Sequence, residues 1–90
     1  MTTVREIVIK ALKESLLGHY SGDIDNLDFN ENIKDQLDSL DFAETSLKMD
    51  EKLQLDSSIV NKDPALWKAN TFEDLIQVYI ENYNGTVDDE

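Results

Sequence analysis

Ninety residues with 20 acidic and 8 basic side chains make one small domain of formal charge −12 and pI near 4.2. A chain of this length buries roughly 60–65% of its unfolded surface, which supports one compact core but no deep cleft between domains. The acidity argues against nucleic acid and anionic membranes as partners, and the absence of cysteine excludes a disulfide scaffold, a thiolate metal site and a cysteine nucleophile.

The first helix is predicted from Val4. Thr3-Val4-Arg5-Glu6 has capping-box spacing, in which a hydroxyl and a carboxylate satisfy backbone donors left open at a helix start. Val4, Ile7, Val8, Ala11 and Leu12 follow at helical spacing, Leu16 falls near the same face, and Gly18 is placed to end the element. Arg5, Glu6, Lys10, Lys13 and Glu14 interrupt the apolar run, so the segment reads as neither signal peptide nor membrane span, and a cytoplasmic protein is expected. Residues 19–37 keep no sustained period and are read as a long loop, pinned to the core by Ile24, Leu27, Phe29 and Ile33.

A second helix is predicted over Ser39–Leu53, with Asp38 as its N-cap. Phe42, Ser46, Met49 and Leu53 form one stripe, and Leu40, Ala43 and Leu47 form a neighbouring one. Two stripes exceed what a surface helix needs, so one is expected in the core and the other partly exposed for a cargo or partner. Ala43 and Leu47 are read as packing against the third main helix rather than flanking an interior chain pocket. Asp63-Pro64 opens a short helical turn through Trp67, since proline suits a first helical position.

Thr71 then caps the last helix, with Asp74 at the box position and Phe72, Leu75, Ile76, Tyr79, Ile80 and Tyr83 along one face. Asn84-Gly85 reads as the end of that helix rather than as part of a glycosylation sequon with Thr86. That leaves one domain over residues 1–84 and an acidic, disordered tail over 85–90. The predicted fold is all-α: three main helices plus a short helix before the last, with no strand needed.

Few residues offer chemistry of their own. His19, the single histidine, has no cysteine or second histidine for a metal site, and is read as a residue interacting with the dipole at the end of the first helix. The run from Asp23 to Asp28 resembles the opening of a calcium loop, but Leu27, Asp28 and Lys34 occupy positions that need an oxygen ligand, a glycine and a glutamate. No metal site and no catalytic residue are therefore expected, and the chain is not read as an enzyme. Ser39 remains: at a helix start its hydroxyl is exposed, and a phosphate ester there would meet the positive end of the helix dipole. Asp38 and Asp41 beside it add negative charge and suit contact with a basic partner.

Leu37-Asp38-Ser39-Leu40-Asp41-Phe42, continued by Ala43, Glu44, Leu47, Met49, Glu51 and Leu53, resembles the acyl carrier and peptidyl carrier protein family. Ile59 and the run Thr71–Ile80 fit the family's later pattern, so the resemblance extends from Val4 to Tyr83. It implies the family's helical bundle and a 4'-phosphopantetheine arm joined to Ser39, which holds an acyl, aminoacyl or peptidyl group as a thioester. It also implies a partner-recognition face of Asp38, Leu40, Asp41, Glu44 and Leu47.

The implied partners are a phosphopantetheinyl transferase, an acyl- or aminoacyl-activating enzyme, and a downstream synthase with basic docking patches. A monomer without stable membrane insertion is expected. Asp35 and Gln36 stand where many members have Leu-Gly, and Thr45 and Lys48 replace apolar residues common in fatty-acid carriers. Leu37-Asp38-Ser39-Leu40 also resembles carriers of amino acids, including the D-alanine type. These features point to a specialised or secondary-metabolite pathway served in trans; the alternatives are a fatty-acid-synthesis carrier or an unmodified acidic interaction module.

Overall fold

The computed structural model describes residues 3–20, 22–56 and 64–87, with side chains as far as residue 83. Helix α1 (Val4–Leu16) starts where the Thr3 hydroxyl accepts the Glu6 N–H at 3.1 Å. After it, Gly18 adopts φ +89°, a conformation that would strain any residue with a Cβ. The chain reverses there, and the N–H groups of His19 and Tyr20 both return to the Leu16 carbonyl at 2.9 Å.

The segment 19–37 is not a loop throughout, contrary to the expectation from its missing period. It holds a 3-10 turn at Ile24–Asn26 and a short helix α2 (Ile33–Gln36). Elements of three and four residues are too short to leave a repeating apolar pattern, so periodicity could not disclose them. The anchors behave as expected: Leu27 and Ile33 are buried, and Ile24 and Phe29 pack partly against the core. Backbone bonds fasten the segment to the start of the last helix, from Ile33 N–H to the Asn70 carbonyl at 2.8 Å and from Glu73 N–H to the Phe29 carbonyl at 2.8 Å. Between them lies an isolated antiparallel bridge, Asn32 with Thr71, and no strand forms among the described residues.

Helix α3 (Ser39–Leu53) is capped by Asp38, whose carboxylate accepts the Asp41 N–H at 2.8 Å. It ends at Gln54 in the left-handed region. Helix α4 (Pro64–Lys68) precedes α5 (Phe72–Val87). Thr71 and Asp74 cap α5 reciprocally, each side chain accepting the other's N–H at 3.2 Å. The Asp74 carboxylate also takes the Asn70 N–H, and these backbone donors hold it below the usual aspartate range. Helix α5 continues through Asn84-Gly85 to Val87, so the dipeptide does not end it. Glycine weakens a helix by about 1 kcal/mol relative to alanine, yet its backbone fits helical angles. Residues 88–90 of the expected tail and Ile59 lie outside the described residues.

The three long helices and the short one before the last are thus present, and the described residues fold as an all-α bundle. Helix α1 packs against α3 and α5. Their inward faces supply Val8, Leu12 and Leu16, Met49 and Leu53, and Phe72, Leu75, Ile76 and Tyr79, all buried. Each such side chain contributes roughly 1.5–3 kcal/mol by leaving water. Arg5 on α1 closes a bidentate pair with Glu73 on α5, at 2.8 and 2.6 Å. That guanidinium, assisted by Gln77, lowers the Glu73 carboxyl from 4.5 to about 2.

One part of the core is polar. Thr45, Ser46 and Asp50 on α3 are buried, and the Ser46 and Tyr79 hydroxyl oxygens lie 2.6 Å apart. The Tyr79 hydroxyl also donates to the Ser46 carbonyl at 3.2 Å. Burial, reinforced by the nearby Asp50 charge, pushes the Tyr79 phenol above its ordinary value, while its hydrogen bond with Ser46 opposes the shift. No described helix is long and apolar enough to cross a membrane.

Candidate functional site

Ser39 occupies the first position of α3 and is exposed. Its placement follows from Asp38: an extended residue whose carboxylate turns back onto the Asp41 N–H fixes where the helix starts, and so which hydroxyl stands at its first turn. Leu37, just before the cap, is buried and holds this corner to the core. The chain's one histidine is engaged with Asp41 and Glu44, so it is not aimed at Ser39 as a base. The serine is accessible to an external reagent.

From Ser39 the outer surface of α3 carries the residues singled out in the sequence. Leu40 is 66% exposed and Leu47 49%, large values for leucine, while Asp38 is exposed and Asp41 and Glu44 are partly so. Two apolar side chains one heptad apart, bordered by carboxylates, form an apolar strip with an acidic margin. The expectation that Leu47 packs against the third main helix does not hold, because it points outward, whereas Ala43 is half-buried. A fifteen-residue helix packed against α1 on one face leaves the other open to solvent.

His19 does more than sit at the end of α1. Its Nδ1 lies 2.9 Å from Asp41 Oδ1 and its Nε2 3.4 Å from Glu44 Oε2, so the ring fastens the end of α1 to the first turns of α3. The sequence held a signal for this, since Asp41, Glu44 and Lys48 recur at helical spacing on one face, but nothing placed that face opposite His19. Donor atoms of His19, Asp41 and Glu44 also lie within 4.8 Å of one another, close enough to converge on a metal ion. The Lys48 ammonium, 3.4 Å from His19 Nε2, adds positive charge at the same edge and works against a cation there.

On the other side of Ser39 lies a groove that sequence reading missed. It encloses about 370 Å³ between the start of α3, α2 and α4. Ile33, Leu37, Phe42, Trp67 and Ala69 give it apolar walls, and Lys34, Asp38 and Ser39 stand among its polar lining. The Phe42 and Trp67 rings meet edge to face at 6.2 Å and 85°. Trp67 remains 60% exposed, although it is the largest apolar side chain of the chain. The walls come from residues 33 to 69, so no local pattern marked the groove.

No family model, curated protein or solved structure matches this chain.

Proposed function

We propose that the chain is a carrier protein that tethers an acyl or aminoacyl group through 4'-phosphopantetheine on Ser39, with a bundle of the acyl carrier type. It acts in trans in a specialised biosynthetic pathway, as substrate and shuttle rather than catalyst. The observation that carries this reading is an exposed serine hydroxyl at the first turn of a long helix, flanked on one side by an acidic-apolar strip and on the other by an apolar groove. In the proposed modification, Ser39 Oγ attacks the pyrophosphate of coenzyme A held by a transferase. The new O–P bond forms as the pyrophosphate P–O bond breaks; 3',5'-ADP leaves and the hydroxyl proton passes to a base of the transferase. Because the chain has no cysteine, the thiol that bears cargo is that of the arm.

Asp38, Leu40, Asp41, Glu44 and Leu47 form the recognition strip in this reading, and it suits activating and synthase enzymes with basic docking patches. The direct test is intact mass after incubation with coenzyme A, magnesium and a broad-specificity phosphopantetheinyl transferase. One phosphopantetheinyl group is expected on the natural chain and none on Ser39→Ala. No mass gain, or a gain that survives the substitution, overturns the proposal. The same exposed strip supports a second reading, an unmodified acidic interaction module, in which Ser39→Ala leaves partner binding and biological activity intact.

A further inference from the structure

Two surfaces compete for whatever is attached to Ser39: the bundle interior and the groove between α3 and α4. The interior side of α3 is polar where it meets α5. Thr45, Ser46 and Asp50 are buried there, and Ser46 is bonded to the Tyr79 hydroxyl across the α3–α5 interface. A long alkyl chain entering between these helices would break that bond and strip polar groups of their surroundings, a cost that each added methylene would have to offset.

The groove offers the opposite environment. Ser39 itself lines it, so a tether at this residue starts at its edge. Its walls include Leu37, Phe42 and Trp67, and the exposed indole loses apolar contact with water when covered. At about 370 Å³ the groove lies at the small end of the usual range for ligand sites, ~300–1,000 Å³. A short flexible tether supplies a local concentration of millimolar order, so weak apolar contact suffices to populate it.

Resting on the carrier reading, the geometry points to a cargo with a compact apolar body, of which a hydrophobic aminoacyl group is the type. That body lodges against Phe42 and Trp67 outside the bundle. Ser39 and the groove set the cargo's size, and the polar Ser46–Tyr79 contact excludes long fatty acyl chains from the core. Trp67 is the chain's only tryptophan, so its emission reports occupancy without a label.

The experiment loads the full chain through a transferase with acetyl, phenylalanyl or dodecanoyl coenzyme A, each transferred as its acyl-phosphopantetheine with release of 3',5'-ADP, and records intact mass first. Trp67 emission and the rate of thioester cleavage by hydroxylamine are then compared. The phenylalanyl form is expected to shift the emission and to be cleaved roughly two- to fivefold more slowly than the same thioester on Trp67→Ala. The dodecanoyl form is expected to gain no greater protection than the phenylalanyl one. Phe42→Ala keeps the reporter and should weaken the phenylalanyl shift, with circular dichroism confirming that each variant is folded.

Equal cleavage of the phenylalanyl thioester on the natural chain and on Trp67→Ala, with unchanged emission, overturns the inference and leaves the carrier reading standing. So does a dodecanoyl thioester that is the best protected of the three and stays protected in Trp67→Ala. Failure to gain mass at Ser39 removes both readings together.

Discussion

At the scale of single residues, Tyr79 carries the most concentrated polar contact of the core. Its hydroxyl meets Ser46 twice and lies near the buried Asp50. Tyr79→Phe leaves those groups buried without their partner, a loss of about 1–3 kcal/mol. In a domain of this size that lowers Tm by roughly 4–8 °C per kcal/mol, as thermal unfolding followed by circular dichroism will show. The phenol also makes stability sensitive to alkali. Its folded pKa is raised, chiefly by burial, so the folded state holds the proton after the unfolded chain has begun to release it. The stabilisation is complete below about pH 10 and is lost as pH rises above it. The Tyr79→Phe variant should lack this part of the alkaline decline.

At the scale of elements, α3 depends on its cap and α1 on a cross-link to α5. Asp38→Ala removes the carboxylate that accepts the Asp41 N–H and should cost about 1 kcal/mol of stability, whereas Asp38→Asn keeps an equivalent acceptor. Both variants lose the charge. Under the proposed carrier function, a transferase assay beside a thermal melt therefore separates capping from charge: Asn should retain Tm and lose modification rate, and Ala should lose both.

The Arg5–Glu73 pair predicts behaviour in acid. Glu73 has a folded pKa of about 2 against an ordinary 4.5, so its contribution is complete above about pH 4.5 and is lost as pH falls toward 2. Both side chains are partly exposed, so screening keeps the effect small. Tm measured from pH 5 to pH 2, values chosen to bracket that titration, should fall more steeply in the natural chain than in Arg5→Met.

For the whole molecule, a formal charge of −12 on 90 residues gives a field that reaches beyond any one contact. Under the proposed carrier function that field steers the chain onto basic enzymes, and kcat/KM for phosphopantetheinylation should drop as ionic strength rises from about 0.1 M to about 1 M, where the screening length shrinks from ~10 Å to ~3 Å. A rate indifferent to salt would mean that recognition rests on Leu40 and Leu47 rather than on the carboxylates around them.

The sequence by itself determined the long elements and the position of Ser39. Helices of thirteen to sixteen residues repeat their apolar pattern often enough to be read, and the caps Thr3, Asp38 and Thr71 act through backbone groups three residues away. Only the tertiary structure decided what surrounds that serine. It turned Leu47 outward, placed His19 between Asp41 and Glu44, and put Trp67 against Phe42 to build the groove. These are contacts between residues more than twenty positions apart or choices between two faces of one helix, and both depend on which surfaces the other helices cover. The short turns at Ile24–Asn26 and Ile33–Gln36 and the continuation of α5 through Gly85 belong with them. Local preferences in those segments are weak, and the surrounding fold overrides them.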